Sequence, residues 1–143
     1  MVANAKAESF TFNSIANGGT KSEFFTNSNA CRILEMTVVS EAAIAAHSTA
    51  VYKVELLTGA TVIGKITNDS DESTTTATTG VVGIDSALYA AKTTRSIALT
   101  QAGANSDGAY ENAADAVLEI KASNDTGGTI TDVTVHLEYA VSD

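Results

Sequence analysis

The sequence predicts an all-β protein: an antiparallel two-sheet β-sandwich over residues 10–143, preceded by an extended, flexible N-terminal arm over residues 1–9. Three observations predict it. Apolar residues recur at every second position in segment after segment, and β-branched or aromatic side chains fill those positions, which suits a pleated, half-buried surface. Helix signals are confined to two short Ala-rich stretches, Glu41 to His47 and Asn112 to Ala116, and isolated helices of that length are marginal in water. The chain has 143 residues, of which 44% are hydrophobic and 17% charged; that is enough for one core, and no apolar run approaches the ~18 residues of a membrane span.

Residues 1–9 hold too few apolar side chains to order themselves, so they read as an arm that lies on a neighbouring subunit or on a larger partner. Phe10, Phe12 and Ile15 then alternate with Thr11 and Asn13, and Asn17-Gly18 favours the positive φ of a tight hairpin turn, with Glu23 to Thr26 as the return strand. Phe24 and Phe25 are adjacent, so on a strand they face opposite ways. One belongs to the core, and the other is covered by the arm or offered to a partner. Arg32 to Val39 is apolar at most positions and reads as a central strand with Leu34, Met36 and Val38 inward.

Tyr52, Val54 and Leu56 line one face of the next strand, which reverses at Leu57 to Ala60 and returns through Thr61 to Ile66 as a hairpin. The Thr-rich run from Asp69 to Gly80 and the stretch from Gln101 to Tyr110 read as loops. Between them, Thr94 to Thr100 forms a strand with Ile97 and Leu99 inward. Leu118, Ile120 and Ala122 mark a further strand. Ser123 to Gly128 is dense in turn formers, and Val133, Val135, Leu137, Tyr139 and Val141 mark the last strand, which pairs with its predecessor as a second hairpin. The count is roughly seven to nine strands in one domain.

Charge narrows the partners. Lys and Arg total 8 against 17 Asp and Glu, for a net charge of -9, and such a surface repels phosphate backbones and anionic headgroups. The eight cations are scattered singly along the chain, so neither a nucleic acid nor a membrane is an expected partner. Cys31 is the one cysteine, which excludes an intrachain disulfide and a multi-thiolate zinc site and reads as a small buried hydrophobe. No secretory leader is visible, and assembly in a cytoplasm is expected.

The chemistry-bearing residues form no catalytic pattern. His136 falls mid-strand on the polar face, and His47 closes an Ala-rich loop without a Gly-x-Ser-x-Gly elbow. A calcium loop counted from Asp69 needs Gly sixth and Glu twelfth, but the chain has Thr74 and Gly80 there. Gly103 to Gly108 fits no phosphate-binding loop. Trp is absent, and with Tyr52 and Tyr139 assigned to the core, only Tyr89 and Tyr110 remain as stacking platforms for a sugar. The chain is therefore not expected to be an enzyme, and no cofactor or metal is expected.

Three segments carry a family resemblance: Tyr52-Lys53-Val54-Glu55-Leu56-Leu57-Thr58-Gly59-Ala60-Thr61-Val62-Ile63-Gly64, then Ala113 to Ile120 with Asp115, then Gly128 to Tyr139. This layout resembles the small jelly-roll decoration, or cement, proteins on the heads of tailed bacteriophages. At Asp115 the chain has Ala before the Asp, where the family usually has Gly. The resemblance implies a jelly-roll-like sandwich and a virion structural role on the outer capsid surface, with the major capsid protein as partner and a homotrimer as the assembly. Lys6, Phe10, Phe12, Phe24 and Phe25 are the candidate interface residues. Two alternatives stay open: a tail or head-fibre β-module that binds host surface glycan, and a cupin-like enzyme, which would have to build its metal site from His47 and His136.

Overall fold

The computed structural model describes residues 5–42, 44–45, 47–69, 84–85, 94–98 and 110–141. They form ten strands and, among the described residues, no helix: β1 (Ala5–Ile15), β2 (Gly19–Phe25), β3 (Cys31–Ser40), β4 (Tyr52–Thr58), β5 (Thr61–Thr67), β6 (Ile84–Asp85), β7 (Thr94–Ala98), β8 (Tyr110–Asn112), β9 (Leu118–Asn124) and β10 (Ile130–Val141). One sheet has the order β1-β10-β3-β7, with β8 also on β3, and the other β2-β9-β4-β5-β6. Among the described strands the pairings are antiparallel except the short β5–β6 contact.

The chain crosses repeatedly between the sheets. β1, β3 and β10 belong to the first, while β2, β4 and β9 belong to the second. Each crossing wraps the chain around one shared core, and this interleaved order is that of a jelly roll. Phe25, Ile33, Met36, Tyr52, Leu56, Ile66, Leu118, Ile120 and Leu137 fill the core and are shielded from solvent.

Several expectations change here. The 10–15 and 23–26 segments form β1 and β2, but they pair with β10 and β9 rather than with each other. Likewise β9 and β10 lie in opposite sheets, so Ser123 to Gly128 starts a crossing and not a hairpin. A turn that reverses the chain leaves open whether the return strand pairs with its predecessor or faces it across a core. The β4–β5 hairpin is as expected, with Gly59 at φ 58 in the turn.

The flexible arm is corrected over Ala5 to Ser9. From Ala5 onward the segment belongs to β1, with Ala5 opposite Ala140 and Ser9 opposite His136. Ladder pairing along β10 orders these residues, whose side chains bury little. Within β3, Ile33 replaces Leu34 as a core residue. The register against β10 slips between Glu138 and Tyr139, so a β-bulge reverses the inside-outside alternation at this point. Ile33, Met36 and Val38 are fully buried, and Leu34 is only half-buried. Ile97, Leu99, Tyr89 and most of the Thr-rich loop fall outside what the described side chains cover.

Candidate functional site

Of the five candidate interface residues, three belong to the core. Phe10 and Phe12 stand opposite Val135 and Val133 on β10 and pack inward, and Phe25 is wholly enclosed. Phe10 and Phe12 alternate with exposed Thr11 and Asn13, and that alternation buries them. Lys6 is exposed on β1, opposite Tyr139. Phe24 is the one that reaches outward: it is 60% exposed, and Val117, just before β9, is 53% exposed. These are the two large hydrophobic side chains presented to solvent among the described residues.

Register places Phe24 on the outer face of the second sheet. Phe24 stands opposite Glu119, Glu119 opposite Leu57, and Leu57 opposite Val62, so an apolar row interrupted by one carboxylate crosses four strands. Ser22 Oγ donates to Glu119 Oε1 at 2.5 Å and holds that carboxylate beside the ring. The row two residues along reads Ser22, Lys121, Glu55, Lys65 across the same strands, and Lys53 Nζ lies 3.7 Å from Glu55 Oε1. Three of the chain's cations are therefore gathered on one face, although they are scattered singly in sequence. Only the pairing register brings them together.

Groups with reactive potential are held elsewhere. Cys31 is fully enclosed at the start of β3, between Val141 and Asn112 in register. Burial pushes its thiol pKa up, outweighing a hydrogen bond with the Asn112 side chain. A raised thiol is protonated and inert at neutral pH. His47 lies beyond the other end of β3, where its Nδ1 accepts the backbone N–H groups of Thr49 at 3.0 Å and Ala50 at 2.9 Å. The ring thus caps a turn, and Cys31 and His47 form no dyad. His136 Nδ1 lies 2.6 Å from Ser9 Oγ on the outer face of the first sheet. It stands on a strand paired on both sides, so its neighbouring amides are committed to ladders and offer no oxyanion hole.

A groove of about 310 Å³ opens at one end of the sandwich, with Ile44 and Ile130 in its apolar lining and His47, Asn68 and Thr129 among its polar groups. Asn68 is engaged in structure: its Nδ2 donates to Ala45 O at 2.8 Å and Ala50 O at 3.1 Å, and its Oδ1 accepts Tyr52 N at 2.6 Å. It ties the β3–β4 loop to β4 and leaves no amide group for a ligand. Among the described residues no cluster of three or more His, Cys, Asp or Glu is arranged to hold a metal ion.

Two buried acids give a pH prediction. Burial raises the pKa of the Cys31 thiol and of the Tyr52 hydroxyl, which lies against Ser40. Each keeps in the folded state a proton that the unfolded chain releases, so its stabilising contribution is complete below the unfolded pKa and is lost as pH rises through the folded one. The thermal midpoint is expected to fall once pH exceeds about 9 and to fall further beyond about 10 as Tyr52 joins. In the native protein at pH 8, Cys31 is expected to resist a maleimide that labels it after unfolding; labelling at the rate of a free thiol contradicts its burial.

Fold and faces together define an acidic jelly-roll β-sandwich with one apolar and cationic outer face. No protein-family model matches the sequence, and no curated protein matches it either.

Proposed function

We propose that the chain is a decoration protein that adheres to the outer surface of a phage head and stabilises the assembled capsid. The exposed Phe24 and Val117 carry the reading, because exposed large apolar side chains on an acidic β body suit adhesion to another protein surface. The interleaved jelly roll and the three segments resembling decoration proteins support it. The role is mass action. A protein that binds only the assembled lattice stabilises it by RT ln(1 + [L]/Kd) at each site, about 2.7 kcal/mol at a hundredfold excess over Kd. Repetition over many sites then resists rupture from within.

The test adds purified protein to phage heads that lack it. Saturable binding and a higher temperature of DNA release are expected, with Val117→Asp weakening binding about tenfold while the free protein melts as before. Heads that neither bind the chain nor gain heat resistance contradict the proposal.

A further inference from the structure

Strand β2 lies at the edge of its sheet: β9 pairs with one side of it, and among the described residues no strand pairs with the other. An open edge is a template for another strand, and charges turned to the core side are one way of blocking it. Lys21 and Glu23 are such charges. They stand opposite Ala122 and Ile120, both buried, and so take the core-facing side of the sheet, yet both remain exposed. A foreign strand docking here leaves these charges without partners under its own side chains.

A second copy of β2 does not. Laid antiparallel about a two-fold axis at Ser22, the strand Gly19–Phe25 complements itself from Thr20 to Phe24. Lys21 meets the partner's Glu23, and Glu23 meets the partner's Lys21. Thr20 meets the partner's Phe24, a β-branched residue against an aromatic one. Ser22 meets its own copy on the axis. Moving the axis by one residue ruins the match: at Glu23 it sets Glu23 against itself and Lys21 against Phe25, and at Lys21 it sets Lys21 against itself. The same charges that exclude other strands thus select one register of one partner.

We propose that two copies of this chain associate through β2, antiparallel about a two-fold axis at Ser22, so that their second sheets run on as one. The interface is isologous and closes on itself. It places two copies of Phe24 on one continuous face, which would multiply adhesion to a repetitive surface, although the pairing stands independently of any such surface. The edge strand β1 carries a similar spacing in Lys6-Ala7-Glu8, but its flanking residues Ala5 and Ser9 offer no aromatic contact, and it serves as the control.

Sedimentation equilibrium of the full chain at about 20 mM salt, where charge pairs are weakly screened, tests this. The wild type is expected at twice 14.6 kDa, a dimer and not the homotrimer that the family resemblance implies, and a trimer overturns the pairing. Lys21→Glu alone and Glu23→Lys alone each set like charges against each other, and each is expected to raise the dimer dissociation constant about 10- to 100-fold. An equimolar mixture of the two variants, or both changes in one chain, restores the dimer, and Lys6→Glu leaves it unaltered. Circular dichroism melts confirm that the variants fold. A wild type that stays monomeric, an assembly indifferent to these reversals, or a loss that mixing does not restore overturns the proposal.

Discussion

Replacing Phe25 with alanine is expected to destabilise the fold by about 3–5 kcal/mol, whereas the same change at Phe24 moves stability by less than about 0.5 kcal/mol. The two residues are neighbours in sequence and chemically identical. Phe25 has no exposed surface, and its ring meets that of Tyr139 edge-on, with centroids 5.0 Å apart and planes at 66°. Since β2 and β10 belong to different sheets, this contact helps clamp the sandwich together. Truncation removes the contact and leaves a void between the sheets. Phe24 points to solvent, so its truncation removes surface already in water. Denaturant midpoints at an unchanged slope measure both. The opposite ranking contradicts the register of β2, and with it the assignment of the outer face.

Asn124→Ala is the second large effect, at about 2–4 kcal/mol, because it strips several hydrogen bonds from one nearly inaccessible side chain. Asn124 ends β9, and its Nδ2 donates to Ile15 O at 2.8 Å and Gly128 O at 2.7 Å. Its Oδ1 accepts from Thr126 N at 3.0 Å and from Thr126 Oγ1 at 2.7 Å. The backbone joins in, with Gly18 N donating to Asn124 O at 2.7 Å. One residue therefore fixes both the β1–β2 and the β9–β10 crossings, two of the places where the chain changes sheet at this end. Alanine removes the partner of the buried Ile15 carbonyl and strips the half-buried turn at Thr126 and Gly128 of three further bonds. Asn124→Asp is expected to be no milder, since it removes both donors and sets a charge beside two carbonyl oxygens. A loss under about 0.5 kcal/mol by denaturant titration, typical of an open surface position, contradicts the role given to this residue.

The strands themselves were legible because burial writes a period of two into the sequence. Val133, Val135, Leu137 and Tyr139 face inward as their spacing demands. The pairing partners were not legible. Asn17-Gly18 and Gly127-Gly128 signal reversals, and a reversal into the opposite sheet satisfies the same apolar faces as a hairpin does. Leu34 misled because Ile33 beside it is equally apolar, so nothing in composition marks the bulge. Ala5 to Ser9 escaped notice because the ladder with β10 orders them, and no side-chain pattern reports a backbone ladder.

The candidate interface was half legible. Adjacent Phe24 and Phe25 required one outward ring, but the choice between them depends on which neighbours lie in register. Val117, and the gathering of Lys53, Lys65 and Lys121 on one face, had no local signal. Asn124 had one that could have been used: an Asn followed by Asp125-Thr126-Gly127 is an Asx-turn former at a strand end.

The most direct test of the proposed role is the number of copies in a purified virion, measured by quantitative mass spectrometry against the major capsid subunit. The adhesion account predicts hundreds of copies, in fixed ratio to the subunits of the shell. A handful of copies, or none, contradicts it.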